Sequence, residues 1–149
     1  MNLREQLLQT DKTAWIDIGC GGNFEEGFLY VDIFPKNSIQ TEYQSRYFSL
    51  DILNCSNGEL KELGLFDLVR MQHSLEHFTY EEGQRVLINC GKLLKPGGLL
   101  LITVPDLEVH INKYLSNDYE NWQGFKQWAN RRIPDGAPRS FYFSIFAYS

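Results

Sequence analysis

This chain of 149 residues has no cysteine pairs at short spacing, no long apolar run and no surplus of positive charge. Its three cysteines, Cys20, Cys55 and Cys90, are scattered. An odd, unframed set of thiols excludes a disulfide-stapled secreted scaffold and suits reduced thiols in a cytoplasm. The longest strongly apolar run, residues 99–104, is far too short for a bilayer-spanning helix, so no membrane partner is expected. Residues 1–12 carry Arg4, Glu5 and Asp11 and lack the apolar centre of a signal peptide. A formal net charge of −5 argues against a nucleic-acid backbone as the main partner. Internal repeats and low-complexity segments are also missing. What remains is the composition of a soluble domain, 43% hydrophobic and 22% charged, long enough to bury a core.

Among the features present, residues 14–23 (Ala-Trp-Ile-Asp-Ile-Gly-Cys-Gly-Gly-Asn) organise the rest. Trp15, Ile16 and Ile18 read as a short buried strand that stops at Gly19. Gly19, Gly21 and Gly22 permit backbone angles closed to other residues and leave room for a ligand. A strand feeding such a turn opens many nucleotide-binding α/β domains, although glycines also simply end strands.

Along the chain, residues 2–9 read as a short amphipathic helix and residues 28–34 as a second strand ended by Pro35. The connection between the first two strands is too short for the usual crossover helix, so a turn or loop must replace it. Residues 43–52 hold a third strand, 58–63 a short helix and 66–71 a fourth strand. Residues 79–94 are the strongest helix, with Thr79 and Glu82 as a capping box and Val86, Leu87, Cys90, Leu93 and Leu94 on one face. Lys95-Pro96-Gly97-Gly98 stops it. Residues 99–104 are a fifth strand, apolar enough to be buried on both faces. Residues 106–115 and 119–132 read as helices, and the aromatic run 141–148 as a final strand. Alternating strands and helices imply a parallel sheet, with the ligand beyond the carboxyl ends of the strands where the strand order reverses.

Polar groups collect on that rim. Asp32 can accept hydrogen bonds from both hydroxyls of a ribose, or merely close its strand ahead of the proline. Asp51 either pairs with an exocyclic amine or forms an Asx-type turn ahead of Asn54. Asp17, inside an apolar strand, needs donors. The amides of the glycine turn are the candidates, and bracing that turn, or meeting a cationic group through water, is its expected task.

Four segments in this order resemble a class I S-adenosylmethionine-dependent methyltransferase. They are Asp17-Ile-Gly-Cys-Gly-Gly-Asn23, Val31-Asp32, Phe66-Asp-Leu-Val-Arg-Met-Gln-His-Ser-Leu-Glu-His77 and Leu93-Leu-Lys-Pro-Gly-Gly-Leu-Leu-Leu-Ile-Thr-Val-Pro105. The continuation to Glu108 further resembles a bacterial subgroup of predicted methyltransferases linked to cell-surface glycan synthesis. The resemblance implies an α/β, Rossmann-like methyltransferase fold with strand order 3-2-1-4-5 and one S-adenosylmethionine-binding domain over residues 1–149. It implies S-adenosyl-L-methionine as cofactor and a small-molecule or sugar acceptor.

The implied cofactor residues are Asp17, Gly19, Cys20, Gly21, Asn23, Asp32, Ile33, Asp51, Ile52, Gln72 and His73. The backbone of Gly19 to Gly21 would border the methionine part, Asp32 the ribose, and Ile33, Asp51 and Ile52 the adenine. Gln72 and His73 would face the methionine end and the substrate, with His73 as the candidate general base for a hydroxyl acceptor.

Two departures from the family pattern bear on activity. Asn23 stands at the third loop glycine. The length leaves room for at most one strand of the family's terminal β6–β7 hairpin, so the fold is expected to lack most or all of it. That shortening suggests two further expectations: a non-catalytic or partner-completed cofactor-binding module, and a homodimer covering the exposed sheet edge. A different chemistry is carried by His73-Ser-Leu-Glu76-His77, which matches a zinc-hydrolase pattern that must lie on a helix. No metal is expected on the methyltransferase reading.

Overall fold

Five parallel strands form a sheet in the order β3-β2-β1-β4-β5. The structure is a computed structural model and describes residues 14–116. The strands are β1 (Trp15–Ile18), β2 (Phe28–Asp32), β3 (Tyr47–Ser49), β4 (Phe66–Gln72) and β5 (Leu94–Thr103). The helices are α1 (Asn57–Leu63), α2 (Tyr80–Lys92) and α3 (Leu107–Leu115). The expected helices at 2–9 and 119–132 and the aromatic strand at 141–148 lie outside the described residues. The chain divides into two compact units, Met1–Val104 and Pro105–Ser149. The sheet, α1 and α2 belong to the first unit, and α3 to the second.

Central β1 pairs with β2 on one side and β4 on the other, Asp17 lying opposite both Tyr30 and Arg70. Alternation along the strands sends two different sets of side chains to the two faces. One face gathers Ile16, Ile18, Val31, Val69 and Met71 with Leu60 of α1, Val86 and Cys90 of α2, and Leu93 beyond it. Each large aliphatic side chain so buried contributes roughly 1.5–3 kcal/mol. The other face gathers Cys20, Phe28, Tyr30, Tyr47 and Leu68, flanked by Trp15, Phe24 and Tyr43.

Local chemistry sets the helix starts. In α2, Glu82 N–H donates to the Thr79 hydroxyl and the Glu82 carboxylate accepts the Thr79 N–H (2.9 Å), completing the expected capping box. Ser56 and Glu59 build a second box at α1. In α3, Asp106 Oδ1 accepts the N–H groups of Glu108 (2.9 Å) and Val109 (3.3 Å). No helix among the described residues is long and apolar enough to cross a membrane.

Two expectations change at β5. The lysine–proline–glycine segment is not a plain helix stop but lies within the strand as a bulge. Leu94 pairs with Phe66 and Leu99 with Leu68, so residues 95–98 pass opposite Asp67 alone. Gly98 sits so close to the carbonyl oxygens of Lys95 and Phe66 that an added Cβ would lie 3.0 Å from each. β5 is also not buried on both faces: Leu100 is 36% exposed, because among the described residues β5 borders the sheet.

Candidate cofactor site

The strand order reverses on either side of β1, and the loop that follows β1 opens at that point. Residues 19–27 cross from β1 to β2 as turns without a helix. Gly19, Gly21 and Gly22 have φ of 71°, 57° and 83°, the left-handed region that glycine enters without strain. Gly19 is gripped on both sides: its N–H donates to the Val31 carbonyl (2.7 Å), and the Ser74 hydroxyl donates to its carbonyl (2.9 Å). A Cβ on Gly19 would run into that hydroxyl, whereas at Gly21 and Gly22 it would meet no heavy atom within 4 Å. The loop is therefore closed toward β4 and open at its tip. Asn23 N–H donates back to the Cys20 carbonyl (2.9 Å) and closes the turn.

Asp32 ends β2 beside this tip. Its Oδ2 accepts the Gly21 N–H (2.8 Å) and its Oδ1 the Ile33 N–H (2.7 Å). Each oxygen retains acceptor capacity after one bond. Ile33 and Phe34, 66% and 49% exposed, present apolar surface next to it. The carboxylate that takes a glycine-turn amide is thus Asp32, and the expected pairing of Asp17 with those amides is corrected.

Asp17 instead meets Arg70, Nη2 to Oδ2 at 2.8 Å, both side chains almost fully buried. Burial pushes the Asp17 carboxyl above its ordinary value, against the pull of the guanidinium. Arg70 also reaches Glu25 Oε2 at 3.0 Å and stacks over the Phe28 ring, 3.9 Å from its centroid. Sequence reasoning missed Arg70. Its signal was a single cation inside an apolar strand, in a sheet whose neighbouring strand holds a single acid. Ser74 was missed as well, since nothing but the fold brings it to Gly19. Cys20 is buried, which pushes its thiol up to about 11, so it offers backbone rather than a nucleophile.

The remaining candidates flank the rim. Asp51 forms the Asx-type turn: Oδ1 accepts the Leu53 N–H (2.9 Å) and Oδ2 the Asn54 side-chain amide (2.7 Å). Ile52 is 6% exposed and packs in the aliphatic core. Half-buried Gln72 ends β4. His73 follows with φ of 50°, a conformation uncommon outside glycine and held by its N–H donating to the Thr103 carbonyl (2.9 Å). Its side chain is 65% exposed, with Nδ1 3.7 Å from Glu76 Oε1. Leu75–His77 is a single 3-10 turn, so His73 and His77 lack the common helix that the zinc-hydrolase pattern requires. His77 is exposed.

The sequence model of one family, described as a methyltransferase domain, matches residues 2–144. The chain belongs to this methyltransferase family. It is 29% identical, over 85% of its length, to the mRNA cap guanine-N(7) methyltransferase of Schizosaccharomyces pombe. It spans 41% of that relative's length. Among solved structures it is similar to PKMT2 from Rickettsia typhi in complex with AdoHcy, at 17% identity and TM-score 0.52, covering 91% of this chain and 33% of that one. It also matches the N-methyltransferase NodS from Bradyrhizobium japonicum in complex with S-adenosyl-L-homocysteine, at 20% identity and TM-score 0.47, covering 66% of this chain and 58% of that one. The methyltransferase sheet, in its 3-2-1-4-5 order with a glycine loop after β1, is the Rossmann-like class I fold that the sequence motifs resemble.

Proposed function

We propose that this chain binds S-adenosylmethionine at the glycine rim and supports transfer of its methyl group to an acceptor. The observation that carries the reading is Asp32. It is an acceptor-only group fixed by two backbone amides at the end of β2, beside a loop tip with open space. A ribose diol presents two donors, and the free acceptor capacity of Asp32 matches them. Gly21 and Gly22 let a ligand approach the backbone, Ile33 lies against the adenine, and the Asp51–Asn54 turn borders its amine. The residues present therefore fit the cofactor.

S-adenosylmethionine, when bound, supplies a methyl group on a positively charged sulfur. The chain's own part is to hold the acceptor in line and exclude water. Gln72 and His73, at the end of β4, border the methyl end. When the acceptor is a hydroxyl, the His73 imidazole takes its proton. The cytoplasm is the compartment that suits the three unpaired thiols.

The acceptor is a small molecule or a sugar on the sequence resemblance. A second reading is favoured by the yeast relative, whose name specifies an mRNA cap. The exclusion of nucleic acid, drawn from net charge, is therefore not kept. A partner-completed binding module is the outcome if cofactor binds and no acceptor is methylated without a second subunit.

Calorimetry with S-adenosylmethionine and S-adenosylhomocysteine tests the cofactor. No heat of binding at millimolar ligand would end the proposal. Asp32→Ala should weaken binding by about 1–3 kcal/mol, and an unchanged affinity removes Asp32 from the ribose. Labelled methyl transfer to a sugar panel and to capped RNA then separates the two acceptors.

A further inference from the structure

The loop at residues 19–27 raises a physical problem. It has four glycines at positive φ and no crossover helix to hold it, yet a cofactor site needs a fixed backbone. Its first half is pinned by Ser74, Val31 and Asp32, as described above. Its second half depends on Glu25, which is held at both backbone and side chain. The Tyr30 hydroxyl accepts the Glu25 N–H (2.7 Å) and donates to the Glu25 carbonyl. The Glu25 carboxylate takes Arg70 Nη1. Arg70 is itself immobilised, between Asp17 on its other nitrogen and the Phe28 ring below.

We propose that Arg70 is the positioning residue of the cofactor loop, clamping its far end through Glu25 in the place of a crossover helix. The proposal rests on the S-adenosylmethionine reading for its functional consequence. It goes beyond that reading by assigning residues that touch neither cofactor nor acceptor. The two legs of the clamp differ. The Asp17 leg is buried and insensitive to salt. The Glu25 leg ends on a side chain 58% exposed and is screened. Loop order, and with it cofactor affinity, should then weaken as ionic strength rises.

Removing Arg70 would leave the buried Asp17 without its cation and disturb the sheet itself, so the test is made from the loop side. In Glu25→Ala, amide exchange across residues 19–27 should quicken several-fold while the strands keep their protection. S-adenosylmethionine affinity should fall about threefold to fivefold, and its salt dependence should flatten. Glu25→Gln, which still accepts from the guanidinium, should restore part of both. Tyr30→Phe should do similar damage, and the double variant with Glu25→Ala less than the sum, since both groups hold one residue.

Exchange and affinity both unchanged in Glu25→Ala would overturn the clamp. Faster exchange with unchanged affinity would overturn the positioning role, leaving an ornament of the loop. If the wild-type chain does not bind S-adenosylmethionine, the proposed function fails. The exchange measurement, made without ligand, still decides whether Arg70 and Glu25 order the loop.

Discussion

The two faces of the sheet are built by different chemistry. Below β1, Ile16 and Ile18 share a nonpolar cluster with Leu60 of α1 and Val86 and Cys90 of α2. Above it, Asp17 meets Arg70, and the surrounding cover is aromatic: Phe28, Tyr30 and Tyr47, with Phe24 stacked on Tyr43 at 4.3 Å. The aliphatic face follows from helices laid on strands and needs only volume and periodicity. The aromatic face has no helix between β1 and β2 to cover it, and uses directed contacts to order a loop. Stability should reside in the first face and precision in the second.

The largest effect expected from breaking this contrast is Arg70→Ala. It leaves the Asp17 carboxylate buried without its cation, at a cost of about 3–5 kcal/mol in denaturant unfolding. Replacing both members, Arg70→Met with Asp17→Leu, should return most of that stability while the loop stays loose. A single variant as stable as wild type would show that the pair carries no buried charge. On the opposite face, Ile16→Val removes one methylene from a side chain with no exposure and should cost about 1 kcal/mol. Loop exchange should not change there, and any faster exchange at residues 19–27 would blur the division between faces.

The smallest effect lies at the helix starts, away from both faces. Backbone hydrogen bonds from Ser56 and Thr79 hold the carboxyls of Glu59 and Glu82 below their ordinary value of 4.5. A lowered native value means the unfolded chain takes up the proton first. The contribution is therefore complete above about 4.5 and is lost as pH falls through the lowered value. Acidification should fray the first turns of α1 and α2, seen as faster exchange near Ser56 and Thr79. Glu59→Gln and Glu82→Gln variants that keep the same acid response would contradict this.

The contrast between faces also explains what could be read in the sequence. The capping box at Thr79 and the rim carrying Gly19, Asp32 and His73 follow from periodicity and punctuation, which are local, whereas the strand order comes from the family resemblance. The Asp51 turn was one of two local readings, and the structure takes that one. The partners of Asp17 were misassigned because the nearest donors in sequence are the glycine amides, whereas the true donor, Arg70, lies 53 residues on. Ser74 at Gly19 is 55 residues away. Pairings at that distance appear only when register sets Asp17 against Arg70. At Ile52 the chain turns after Asp51 and drops the side chain into the core.

The bulge in β5 has a consequence for assembly. Among the described residues β5 borders the sheet, and a border strand displays unpaired backbone groups that a second chain can extend. Pro96 has no N–H to offer, and residues 95–98 bow out of line where Lys95 Nζ holds Asp67 Oδ2 at 3.0 Å. The amino-terminal half of β5 is thus a poor template for another strand, which leaves residues 99–103 as the only stretch of β5 in regular register. A homodimer built by joining two sheets at this border would have five residues on which to register, too few to tolerate a slip of one.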